Sequence, residues 1–192
     1  MKIKFYIIFI GLSLIFLTAC ESEYSKTVKS EIKSGKEYKE LFLDMNMGMT
    51  QKEFYAHCWS LNERQLISQG SGNKYAKHIM ELKNDNDSLT KVIVLFYGIF
   101  DKQSVMYGMD MKMEYSAWSP WNKDYHAPAL ADRIQNYYMD LYGMNPFIEI
   151  DLDNHKAYAK IDGNRQILIF PTNNKSISVK ITDITKRYNI DS

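Results

Sequence analysis

The side chains able to do chemistry are spread along the chain. His57, His78, His126 and His155 stand far apart, with no HxxxH, HExxH or CxxC spacing to set two ligands on one face. Asp85 with Asp87, and Asp151 with Asp153, are closer. They lie in or beside turn-like sequence, where Asp and Asn bond their own backbone, and the longer calcium-loop pattern ending in Glu is missing. There is no G-x-S-x-G elbow, phosphate loop or dinucleotide fingerprint, and Gly70-Ser71-Gly72 reads as a flexible connection. Met106, Met109, Met111 and Met113, with Met45, Met47 and Met49 earlier, carry soft thioethers suited to copper or to an adaptable peptide site. Met109, Met111 and Met113 nevertheless alternate on one face with Tyr107 and Tyr115, as the core side of a strand would. Cys58, beside Trp59 in helical sequence, reads as a buried structural thiol. The expectation is a non-enzyme with neither cofactor nor metal.

The most unusual stretch is YSAWSPWNKDYHAP, residues 115–128. A connection normally uses small polar residues, so Trp118, Trp121 and Tyr125 cost solubility there unless they are buried or bound. Three readings follow. The tryptophans fold back as a seam, with Pro120 fixing the bend. Or they form a partner-binding patch, since Trp and Tyr concentrate at interface hot spots. Or they stack on a saccharide beside Asn122 and Asp124. Trp118, Trp121 and Tyr125 are the candidate binding residues.

The chain begins MKIKFYIIFIGLSLIFLTAC. Lys2 and Lys4, an apolar run from Phe5 to Leu17 and the small pair Thr18-Ala19 make a signal peptide, shorter than the roughly 20 apolar residues of a membrane span. Leu17-Thr18-Ala19-Cys20 resembles the lipobox of bacterial lipoproteins. That resemblance implies cleavage before Cys20 and acylation there with diacylglyceryl and palmitate-type chains. At about 0.8 kcal/mol per buried methylene, two or three chains anchor a protein stably where one does not. Glu21 stands where inner-membrane retention would want Asp, so the expected location is the cell envelope, at the outer membrane.

Without residues 1–19 the chain keeps 22 of its 24 basic residues against 23 acidic ones, a formal charge of about −1. No single-sign field points to nucleic acid. Cys20 and Cys58 are the two cysteines, and with the first committed to lipid no intramolecular disulfide forms, so the fold rests on its core.

Residues 20–39, rich in Ser, Lys and Glu, read as a lipidated flexible tether; Val28 and Ile32 could form a short helical turn. Thr50 and Glu53 make a capping box for a helix from Gln51 to about Asn62, with Phe54, Cys58 and Leu61 inward. Strand-like runs follow at 75–82, 91–97 and 105–115, the NDNDS cluster joining the first two. The pattern then recurs. HAPALADRIQNYYMDLYG is a helix with Pro128 in its first turn and Gly143 as cap, followed by strands at 147–152, 156–161, 166–170 and 176–181, with a tight hairpin at Asp162-Gly163. The predicted fold is α+β: two tandem helix-then-antiparallel-strands units with helices on one face of the sheet. Unit one spans 40–115, the linker 116–126 and unit two 127–192, together one domain over 40–192.

The opening Gly48-Met49-Thr50, leading into a helix with Lys52-Glu53-Phe54 and then into strands, resembles that of the BamE (SmpA/OmlA) lipoproteins of the outer-membrane barrel assembly machinery, and the related β-lactamase-inhibitor-like fold. The resemblance implies a lipidated, non-catalytic binding module, with tandem units in the inhibitor-like members. The expected function is a membrane-anchored protein-binding or scaffolding lipoprotein with an envelope protein as partner. The alternatives are a small-ligand or glycan binder and an envelope hydrolase whose site is assembled across the sheet.

Overall fold

The computed structural model describes residues 21–83, 89–143, 145–152 and 155–188. Cys20, the NDNDS cluster and Asp153 lie outside them. The described chain forms eight strands, β1 (Ser68–Gln69), β2 (Ala76–Lys83), β3 (Leu89–Phe100), β4 (Met106–Tyr115), β5 (Ile148–Leu152), β6 (His155–Asp162), β7 (Arg165–Pro171) and β8 (Ser176–Asp183). Its helices are α1 (Glu23–Ser34), α2 (Gln51–Glu63), α3 (Ala127–Tyr142) and the short α4 (Ile184–Tyr188).

The strands make one antiparallel eight-stranded sheet in the order β1-β2-β3-β4-β8-β7-β6-β5. This corrects the expectation of two tandem units. The halves meet in the middle of the sheet, where Met109, Met111 and Met113 pair with Ile181, Val179 and Ile177. All six side chains are buried. Because direct partners share a face, this pairing gives both halves one continuous core and leaves neither a separate one.

The helices do not share one face either. Over the core face, α3 buries Leu130, Ala131, Ile134 and Tyr138, a stripe at helical spacing. Phe54 of α2 meets Tyr97 and Phe100 edge-on at 5.6 and 5.5 Å. The capping box forms: Thr50 Oγ1 accepts from Glu53 N at 3.3 Å, and Glu53 Oε2 accepts from Thr50 N at 2.7 Å. On the opposite face α1, within the stretch read as a tether, packs Val28 with Ala159, Ile161 and Ile184, and Tyr24 and Ile32 flank them. Ser22 caps its start and Gly35, at φ +67°, its end. Only three apolar residues, four apart, line its inner side, which is why the segment reads as polar.

Asp162 and Arg165 pair across the predicted hairpin, leaving Gly163-Asn164 as the loop. Gly163 has φ +54°, and a Cβ there would collide with the Lys36 carbonyl oxygen. Both facts require glycine.

Candidate binding surface

The linker residues separate. Trp118 is half-buried and stacks on His126 with ring centroids 5.8 Å apart. His126 is held in turn by Nε2 against the Ser119 carbonyl at 3.2 Å. Tyr125 is half-buried, edge-on to the buried Tyr115 at 5.0 Å. Trp121, one residue past Pro120, is 88% exposed. Trp118 and Tyr125 therefore pack under the start of α3, and Trp121 projects into solvent. Trp118→Ala is expected to cost about 2 kcal/mol, less than the roughly 3 to 5 kcal/mol of a fully buried aromatic. Trp121→Ala should stay within about 0.5 kcal/mol of the native chain. Urea unfolding of both variants tests this, and equal midpoints would refute the division.

The sheet face opposite α3 is covered at one end by α1 and near the other by residues 70–75, where Tyr75 donates its hydroxyl to Asp110 Oδ2 at 3.2 Å. Between the two covers lies a trench. Ile99, Tyr107, Gln166, Leu168, Lys180 and Thr182 line one part, about 370 Å³. Lys74, Tyr97, Ile99, Asp110 and Lys180 line the next, about 420 Å³. Asp110 and Lys180 are direct partners across β4 and β8, so a carboxylate and an amine stand side by side on a mixed floor, with Tyr97, Ile99, Tyr107 and Leu168 as its apolar part and Lys74, Gln166, Thr182 and Asp183 as further polar groups. Beside α2 a second, more open cleft has Tyr55, Trp59, Tyr75 and Tyr97 on its walls, with the Tyr55 and Tyr97 hydroxyls 2.9 Å apart.

The histidines stay scattered. His57 Nε2 meets the Leu43 carbonyl at 2.8 Å, His78 Nδ1 the Leu66 carbonyl at 2.7 Å, and His155 is exposed. No three His, Cys, Asp or Glu side chains converge among the described residues. Cys58 is half-buried, and desolvation of its thiolate pushes the thiol up to about 11, so little of it is nucleophilic at neutral pH. The methionines at 109, 111 and 113 lie in the core and present no thioether to solvent.

One charged cluster escapes sequence reasoning. Lys160 and Asp162 have 0% and 1% of their side-chain surface exposed and lie 3.0 Å apart. Lys160 Nζ also donates to the Gly143 carbonyl and, at 2.5 Å, to that of Asn145. The Arg165 guanidinium sits 3.6 Å from Asp162 Oδ2 and 3.5 Å above the Tyr142 ring centroid. With three acceptors for its three protons, the amine is a structural rivet between α3 and the β6–β7 hairpin. The alternation of Tyr158, Lys160 and Asp162 along β6, on the face of Ile167, is the one signal that could have revealed it.

No family model, curated protein or solved structure matches the chain. Among the described residues, no helix is long and apolar enough to cross a membrane.

Proposed function

We propose that this is a non-enzymatic lipoprotein of the bacterial cell envelope, anchored through acylated Cys20 at the outer membrane, whose sheet binds another envelope protein or helps to scaffold it. The observation that carries the reading is the trench between α1 and residues 70–75, an open stretch of sheet where Tyr97, Ile99, Tyr107 and Leu168 stand among the charged Asp110, Lys180 and Asp183. The resemblance of Gly48 to Phe54 to the BamE-type opening supports the same role class.

A photoreactive amino acid at Tyr107, in the trench, is expected to give a discrete cross-linked envelope protein in intact cells. The same group at Asp132, exposed on α3, should not. Identical adducts from both positions, or none, would remove the trench as the binding surface. The anchor is tested separately: the native chain should incorporate labelled palmitate and Cys20→Ser should abolish that incorporation, and a native chain that takes up no label, or a variant that still does, refutes it.

A further inference from the structure

We propose that the end of the sheet carrying residues 115–126 rests on a lipid bilayer, with Trp121 seated in the headgroup region as a second membrane contact beside the acyl anchor. This rests on the acylation of Cys20 proposed above.

The direction of α1 carries the argument. Its C-terminal end is tied to the β6–β7 hairpin, where Glu31 Oε2 accepts from Gly163 N at 2.7 Å and the Lys36 carbonyl accepts from Asn164 N at 3.1 Å. Followed backwards, the helix leads away from that hairpin. Ser22 and Tyr24 then line a groove of about 540 Å³ that runs along β5 from Ile148 to Leu152, with the Tyr24 hydroxyl accepting from Gln166 Nε2 at 2.6 Å. Cys20 precedes Ser22 by two residues in the sequence, so the proposed anchor joins the chain at the start of α1, the end of that helix away from the hairpin.

The antiparallel register gathers other segments at that same end. β5 and β7 finish there, at Leu152 and Pro171, and β8 begins there at Ser176. Through the β4–β8 and β3–β4 pairings, so do the end of β4 and the start of β3. The 116–126 segment leaves from the end of β4, and the Ala127 N–H donates to the Asn174 carbonyl at 2.9 Å, holding the start of α3 to the same rim.

What stands on this rim fits an interface. Trp121 is 88% and Leu89 60% exposed. Lys83, Lys91 and Lys123 are exposed on the same rim, together with the acidic Asp124 and, near the end of β5, Asp151, while Lys175 pairs with Glu114 at 3.1 Å. An indole has an apolar body and one polar N–H, so it partitions to the headgroup layer, and nearby amines meet anionic headgroups. A free indole in water has no such compensation. Trp59, 70% exposed, serves as an internal control: it lies beside β1, which pairs with the start of β2 at the far end of the sheet.

The test uses the full chain, expressed in a bacterium with its leader and reconstituted into phosphatidylethanolamine–phosphatidylglycerol vesicles whose acyl chains carry bromine, a contact quencher of indole fluorescence. Trp121→Phe is expected to remove more than half of the bromolipid quenching, and Trp59→Phe to leave it unchanged. Quenching that is absent, or that survives Trp121→Phe in protein that floats with the vesicles, overturns the inference and leaves the acyl anchor standing. A chain that does not float with the vesicles overturns both.

Discussion

Asp162→Ala is expected to lower the unfolding free energy by about 3 to 5 kcal/mol, the usual cost of removing one partner from a buried ion cluster. Two cations, Lys160 and Arg165, would remain at 0% and 2% side-chain exposure with no carboxylate between them. The three-way arrangement also joins distant parts of the chain. Asp162 Oδ1 accepts from Asn145 N at 3.3 Å, and the Arg165 guanidinium lies 5.0 Å from the Tyr38 ring centroid and 3.8 Å from Glu40 Oε2. The exposed pair Lys156–Glu149 has the shorter separation, 2.7 Å, yet 71% and 53% of those side chains face solvent. Glu149→Ala should therefore cost far less than Asp162→Ala, because solvent screens an exposed pair. Urea unfolding followed by circular dichroism measures both. If Asp162→Ala costs less than Glu149→Ala, the cluster does not hold the hairpin to α3.

The difference between these pairs also explains what was legible in the sequence. Strand and helix positions follow from local pattern: KVIVLFY could hardly be anything but a strand, and Thr50 with Glu53 announces its helix by the chemistry of its first turn. Which strands become neighbours is decided by contacts distant in sequence. Helix-then-strands occurs twice, and that suggests two units. Only the pairing of β4 with β8, between residues near 110 and near 180, shows that they share one sheet. The same holds for Lys160, whose type argues for solvent and whose burial is made possible by carbonyls at 143 and 145 together with Asp162. Helix α1 was missed for the complementary reason. Its inward stripe of Tyr24, Val28 and Ile32 is narrow, and its partners Ala159 and Ile161 lie in a strand more than a hundred residues away. The aromatic linker was visible at once, since Trp and Tyr are rare in such a place. Composition could not divide it, because Trp118 and Trp121 differ only in what surrounds them.

Tyr138→Ala, a further test of the shared core, should lower the unfolding free energy by about 3 to 5 kcal/mol, as for other fully buried aromatics. Tyr138 is 2% exposed on α3, its ring stacked on Tyr142 at 5.8 Å, and among the described residues its hydroxyl donates to Met111 Sδ, 4.0 Å away. That long contact to a weak acceptor adds little, so Tyr138→Phe should remain within about 1 kcal/mol of the native chain at neutral pH. Alkaline pH separates the two proteins with a definite sign. Burial holds the Tyr138 phenol well above its ordinary value of 10.0, and the nearby Tyr142 and Tyr137 push the same way. A phenol raised in the folded state ionises first in the unfolded chain, so its contribution is complete below about pH 10 and is lost as pH rises towards the folded value. The phenylalanine variant lacks that proton, and its stability should fall less steeply above pH 10 than that of the native chain. Parallel pH profiles would mean that the ring reaches water, and that α3 does not seal the methionine face of β4 against which it packs.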